Sequence, residues 1–315
     1  MSRTAQRITL HAVLAAFAAL TMLPFAFALN NSFRTNSEMY HAFFGLPESA
    51  GLSLAAAAQL ARGDGAPLAA RDGEGAPVML APREALRQGV RTALTGYRLA
   101  WSQIRPQMIN SLVVSLGTAA GVLLLSSVTA FVLSRQRYPG RRAVFFLIIS
   151  GMMFPGVLTF VPGYMVVKGM GLLDTYWALL LPYIAGGQIF GIFVMKSFFD
   201  GLPEDLFEAA RMDGAGRLQC YWHIVLPLSK PVLSVVAIMS ILGTWNNFMW
   251  PFVTQPNGRC HVVASGLYVL ATSAYASNLS TLFAAYMISS IPLLVLFVYA
   301  TKPFIQGITS GAFKA

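Results

Sequence analysis

Six long stretches of this chain contain no aspartate, glutamate, lysine or arginine: residues 8–29, 108–134, 143–167, 175–195, 231–253 and 279–301. Crossing about 30 Å of hydrocarbon takes about 20 helical residues, and a charge at the bilayer centre costs roughly 2.5–3.5 kcal/mol. Each stretch is long enough and apolar enough to span a membrane as a helix. Lipid offers no partner to backbone N–H and C=O groups, so a span must satisfy them internally. The expected fold class is an all-α integral membrane protein with six spans, residues 1–315 forming one transmembrane domain. Charged residues make up 11% of the chain, against roughly 25% in soluble domains. Pro155, Pro162, Pro182 and Pro292 interrupt the spans; neighbouring helices in a bundle absorb such breaks.

The first stretch has a rival reading. Arg3 and Arg7, an apolar run and Ala26-Phe27-Ala28 also fit a cleaved signal peptide, but the run is about twice the usual length of such a segment, which favours an uncleaved span. Arg135, Arg137, Arg141 and Arg142 crowd the loop after the second stretch, and Arg3 and Arg7 precede the first. The positive-inside rule puts both groups in the cytoplasm. Counting forward, the 196–230 loop and both termini lie inside, and the 168–174 and 254–278 connections lie outside. The net charge of +10 fits such loops and anionic lipid; no continuous basic face suggests nucleic acid. Cys220 and Cys260 form neither a metal-ligand pattern nor a disulfide framework, and this topology puts them on opposite sides.

Residues 30–105 form a long extracytoplasmic loop in this reading, with a Gly/Pro-rich run from Gly63 to Pro77. Long loops cross the membrane largely regardless of charge. Leu86, Val90, Ala93, Tyr97, Trp101 and Ile104 recur at three- or four-residue steps, which predicts an amphipathic helix. Arg83, Arg87, Arg91 and Arg98 lie off that stripe. Such a helix rests on the outer membrane surface or the bundle, or offers a contact to an extracytoplasmic partner.

Between residues 196 and 230 the chain changes character. Asp200, Glu204, Asp205, Glu208, Arg211, Asp213 and Arg217 fall close together, and burying them in lipid would cost on the order of 20 kcal/mol. This loop stays in water and reads as helical. Pro203 suits a first turn, Asp200 can cap nearby, and the acidic residues favour the positive end of the helix dipole. Leu206, Phe207 and Ala210 form an apolar patch. Gly214 can take the left-handed geometry that ends a helix. A second short helix is expected from Ala215 to about Trp222, with Leu226-Pro227 marking the return to the fifth span. A short helix with an apolar stripe is a suitable plug for a groove on a soluble partner; an interfacial helix covering the bundle fits equally well.

The spacing Glu208-Ala209-Ala210, Gly214, Ile224, Leu226-Pro227 resembles the docking signature of permease subunits of type I ATP-binding-cassette importers, within them the maltose-type carbohydrate permeases. Met152-Met153-Phe154-Pro155-Gly156, Gly171 to Trp177, Phe198 to Pro203 and Gly307 to Ala312 are similar to other segments of that family. Trp245 to Pro251 resembles a fifth-span motif that usually has Asp where this chain has Asn247. The likeness is strong over 105–315 and weak over 1–30; the 30–105 loop departs from the compact loop of many members. The resemblance implies the type I importer permease fold, with a cytoplasmic coupling helix between the fourth and fifth spans. It also implies partners in a bacterial inner membrane: a second permease subunit, two ATPase subunits that bind the ATP, and an extracytoplasmic solute-binding protein.

No catalysis is expected of this chain itself, nor a cofactor or metal. The sequence contains no Gly-Lys pair and so no phosphate-binding loop of the Walker type. His11, His41, His223 and His261 are scattered, and His223 reads as a packing residue. Tyr164, Trp245, Asn246 and Asn247 offer hydrogen bonds and flat apolar faces to a sugar in the pathway, while intramembrane Asn can equally hold helices together. Tyr176, Trp177 and Trp250 read as interfacial anchors, and the apolar 262–276 stretch as an outer loop that dips back toward the pathway. An ion-coupled secondary transporter is the alternative, but it calls for an intramembrane acid or an internal repeat. A structural membrane subunit without a pathway is a third reading.

Overall fold

The computed structural model describes residues 3–71, 77–272 and 278–312. The described chain is helical apart from one β-ribbon, and it groups into two compact units, Met1–Arg105 with Leu267–Ile291 and Pro106–Gly266 with Pro292–Ala315. Its elements in order begin with α1 (Arg3–Ser32), α2 (Asn36–His41), α3 (Glu48–Arg62), β1 (Leu68–Arg71), β2 (Pro77–Leu80) and α4 (Pro82–Arg135). Then come α5 (Arg141–Ser150), α6 (Gly156–Gly169), α7 (Trp177–Asp200), α8 (Asp205–Met212), α9 (Arg217–Cys220) and α10 (Leu226–Leu228). The chain ends with α11 (Lys230–Trp245), α12 (Met249–Thr254), α13 (Val263–Thr272) and α14 (Leu279–Ala312).

In the first unit the segment expected as a long loop is folded. The strands pair antiparallel with Leu68 opposite Leu80, a small addition to the all-α expectation. Arg34 is 2% exposed, and its guanidinium donates to Asn31 Oδ1 at 2.9 Å, Phe43 O at 2.9 Å and Glu38 O at 2.7 Å. A buried charge is tolerated when its donors are spent in this way. Glu38 carries the arrangement onward, accepting from the Glu48 backbone N–H at 3.1 Å.

The predicted amphipathic helix exists but is the start of α4, continuous with the second span rather than a separate surface helix. Its buried face overlaps the predicted stripe in part: Leu86, Ala93 and Tyr97 are partly buried and Ile104 fully, but small residues off the stripe are buried as well. Ala85, Gly89, Gly96, Ala100 and Ile104 are buried, whereas Val90 and Trp101 are nearly half exposed. A Cβ on Gly89 would lie 2.8 Å from Ser49 O, and one on Gly96 would lie 3.2 Å from Ser280 O. Close backbone approach selects small residues, and a hydrophobic period does not register them.

In the second unit α4 and α7 run side by side in the same direction. Gly117 meets Leu180, Gly121 meets Ile184, Gly187 meets Val122 and Gly191 meets Ser126. One apolar core gathers Val122, Phe131, Met195, Phe199, Tyr221, Val225 and Val236. Another gathers Val114, Val167, Leu179, Trp250 and Val262. Hydrogen bonds hold the neighbouring chain ends: Tyr176 donates to Asn110 Oδ1 at 2.6 Å, Asn110 Nδ2 donates to His261 O at 2.9 Å, and Trp250 Nε1 donates to Ala178 O at 2.9 Å. Trp250, expected as an interfacial anchor, is buried instead, while Trp177 is exposed.

Among the described residues, four helices are long and apolar enough to cross a membrane, and two bent pairs raise the number to six if each counts as one span. The third expected span is broken, with α5 and its short 3-10 extension Gly151–Met153 bent 98° from α6. Phe154 is extended at ψ 118°, the conformation that Pro155 imposes on its predecessor. The fifth span was expected over 231–253, but α11 ends at Trp245. The ring of Pro251 obstructs the carbonyl four residues back, at Asn247, and the chain restarts as α12. At Ser229 α11 is bent 76° from the preceding helices, with Pro231 acting on the Pro227 carbonyl in the same way.

Replacing Gly89 by Val should cost about 1–3 kcal/mol by overpacking and lower the thermal midpoint of the purified chain. Gly51→Ala, with nothing within 4 Å of its Cβ, should leave the midpoint unchanged or raise it.

Candidate functional site

The charged loop is built from the ends of α4 and α7. Helix α7 runs on to Asp200, so Asp200 does not cap α8 as its position suggested. Its carboxylate accepts from Lys196 Nζ at 2.6 Å and Ser134 Oγ at 2.6 Å. Pro203 and Glu204 precede α8, and Glu204 occupies the N-cap position without a side-chain cap bond. The Glu204 carboxylate instead receives Arg135 Nη1 at 2.7 Å and Arg211 Nη2 at 2.7 Å. Asp205 and Glu208 lie in the first turn of α8, where the helix dipole favours negative charge.

One side of α8 is spent on the bundle. Phe207 is buried and carries the Arg135 guanidinium over its ring at 4.2 Å. Ala210 is half-buried against the same core, but Leu206, grouped with them in the sequence reading, is 41% exposed. Gly214 closes the helix at φ 77°, in the left-handed region. There the Ala215 N–H reaches back to Ala210 O at 2.8 Å. The expected second helix starts at Arg217, passes into a π-turn over Tyr221–Val225 and runs on through α10 to Leu228, past the predicted end near Trp222. Tyr221 is pinned to α4 through Ser127 Oγ at 2.8 Å.

The seven signature positions divide by role. Ala210, Ile224 and Leu226 pack on the core; Glu208, Ala209, Gly214 and Pro227 face outward. Ala210, Gly214 and Ile224 meet in one cleft of about 310 Å³, lined also by Asp213, Ala215, Gln219, Cys220 and His223. Sequence reasoning missed two features here. One is Arg135, hidden in a run of arginines. The other is the exposed apolar set around the cleft: Met212 at 88%, Leu218 at 70% and Trp222 at 54%. His223 lines the cleft rather than filling a core, its Nδ1 lying 3.0 Å from Gln219 O.

The proposed pathway residues have local partners. Asn246 Nδ2 donates to Leu242 O at 2.9 Å, and Asn247 Oδ1 accepts from the Trp250 N–H at 3.2 Å. Trp245 is buried, and Tyr164 packs on the core that contains Trp250. The two amides thus finish one helix and start the next. Both cysteines are free and buried. Burial first, and the Asp174 carboxylate second, push the Cys260 thiol up, which keeps it protonated and unreactive at neutral pH. Among the described residues no group of acidic, His and Cys side chains could hold a metal.

Residues 123–310 match the family described as binding-protein-dependent transport system inner membrane component. The diacetylchitobiose uptake system permease protein NgcG of Streptomyces coelicolor is 33% identical over 221 residues, which cover 69% of this chain and 73% of that one. The galactooligosaccharides transport system permease protein GanQ of Bacillus subtilis is 32% identical over 206 residues, covering 65% and 73%. The fold is similar to the crystal structure of a bacterial ABC transporter involved in the import of the acidic polysaccharide alginate. That likeness has a TM-score of 0.68, covers 96% of this chain and 99% of that chain, and carries 20% identity. This chain belongs to the binding-protein-dependent inner membrane components, as a multi-pass permease subunit of an ABC importer.

A Gly214→Val change forces a β-branched residue into left-handed geometry, at a cost of ~1–3 kcal/mol. Hydrogen exchange over 205–215 should speed up while the rest of the chain is unaffected. Gly216→Ala, where the nearest atom to a Cβ is Gln219 Oε1 at 3.6 Å, should leave exchange as it was.

Proposed function

We propose that this chain forms half of the pathway of an ATP-driven carbohydrate importer and that α8 is the knob by which an ATPase subunit moves it. The observation that carries this reading is the two-sided α8. Phe207 and Ala210 fasten it to its own bundle, and Glu208, Ala209, Met212 and the Gly214 turn stand free beside a cleft. ATP-driven closure of two ATPase subunits would carry a pair of such knobs together. That rigid-body motion would switch a cavity between two permease subunits from one side of the membrane to the other. ATP is held by the ATPase partners, and this chain supplies no catalytic group. The α8 loop and both termini then lie in the cytoplasm, and a soluble binding protein delivers solute at the opposite face.

The relatives named for diacetylchitobiose and galactooligosaccharides favour a di- or oligosaccharide, or a sugar derivative, as the solute. Tyr164, Trp245, Asn246 and Asn247 are proposed to border its path, near the break between α11 and α12. There Asn246 is exposed and keeps its carbonyl oxygen available to a hydroxyl.

Proteoliposomes holding this chain and its second permease should accumulate oligosaccharide only when the ATPase, ATP and the binding protein are all present. A single Cys introduced at Ala209 should crosslink to the ATPase. Uptake driven by an ion gradient without ATP would support the secondary-transporter reading instead.

A further inference from the structure

Arg135 is the last residue of α4, and its side chain is 12% exposed. One guanidinium reaches three elements. Its Nη2 donates to Phe199 O, in the last turn of α7, and, at 2.8 Å, to Leu202 O, in the linker that follows. Its Nη1 donates to Glu204 Oε2 at 2.7 Å, just before α8. Its planar face lies 4.2 Å from the centre of the Phe207 ring, inside α8. Carbonyls at a helix C-terminus have no intrahelical partner, and a cation there is favoured by the dipole.

We propose that Arg135 is the positioning residue that makes α8 and the ends of α4 and α7 one rigid piece. A pull on α8 then moves both helices together and is not dissipated in the linker between Asp200 and Asp205. Within the linker, backbone turns bond Gly201 N–H to Phe198 O at 3.1 Å and Leu202 N–H to Phe199 O at 3.2 Å, but these tie it to α7 and not to α4. The Arg211–Glu204 pair is exposed on both sides at 61% and 53%, so solvent screens it. Lysine cannot replace Arg135, because a point donor cannot serve the two carbonyls, the carboxylate and the ring at once. The inference rests on the coupling role proposed for α8, but the geometry of the clamp can be tested without it.

The first measurement is on the purified full chain with Cys220 and Cys260 replaced by Ala. Spin labels at Met212→Cys on α8 and Val128→Cys on α4 should give a narrow distance distribution that broadens at least twofold on Arg135→Lys. An unchanged width overturns the clamp whatever α8 binds. The second measurement is on the reconstituted importer. Arg135→Lys should lower oligosaccharide imported per ATP hydrolysed at least tenfold, and Arg142→Gln, which removes a nearby exposed charge, should not. Uptake and hydrolysis falling together at a constant ratio would mean that Arg135 serves assembly alone, and would overturn the proposal. Broadened distances in a chain that binds no ATPase would uphold the clamp and count against the coupling role itself.

Discussion

The contact between α4 and α7 sets the plan of the second unit. Glycines alternate sides along it: Gly117 and Gly121 admit the side chains of α7, and Gly187 and Gly191 admit those of α4. The helices therefore approach closely along several turns, in the way that small residues permit within a bilayer. Because they run parallel, the 41 residues from Gln136 to Tyr176 must return the chain over the same length. The broken pair α5–α6 is that return. A parallel pair thus requires the intervening chain to run back along it even though the third apolar stretch is not one straight helix.

The same pairing places the charged loop. Parallel helices end on the same side, so Ser134 and Arg135 of α4 meet Asp200 and Phe199 of α7, with Lys196 paired to Asp200. At the other end the ties between helices are neutral, with Asn110, Tyr176, Gln255 and Trp250 bonding to carbonyls and amides. The Asp174 carboxylate there is held by Asn257 on the exposed connection. Neutral hydrogen bonds are cheap to keep at the edge of an apolar environment, whereas ions must remain near water. The charged end is accordingly the one from which a water-exposed helix projects.

Much of this was legible in the residues. Uncharged stretches located the long apolar helices α1, α7 and α14 and the later part of α4, and proline, acidic residues and Gly214 located α8 and its end to within a turn. The divergences share a physical cause: hydropathy counts apolar residues and overlooks both small ones and the reach of long ones. The most buried positions of early α4 include Ala85, Gly89, Gly96 and Ala100, which carry almost no hydrophobic signal, so a stripe that reached Ile104 but also ran through Val90 and Trp101 was offset from them. Arg135 stood in an arginine-rich loop that explained its charge by topology, and nothing local showed that its guanidinium turns inward. Asn246 and Asn247 also serve the break that Pro251 enforces, a use their residue type alone does not show, because an interrupted helix leaves backbone groups that nearby amides can satisfy.

An isolated helix as short as α8, with eight residues, is far below the length at which helices persist in water. Its structure is therefore borrowed. Phe207 in the core, Ala215 bonded back to Ala210, and Arg135 gripping the approach supply what local propensity cannot. The Ala215 bond is the closing turn of α8 itself, while the other two supports bind α8 to the ends of α4 and α7 and to the π-turn that Ser127 of α4 holds through Tyr221. A displacement of those helix ends must then reshape or shift α8, and a partner that holds α8 must in turn bias where the helix ends lie. That reciprocity follows from linkage: a segment folded only by its attachment to two helices reports on them and acts on them with the same free energy.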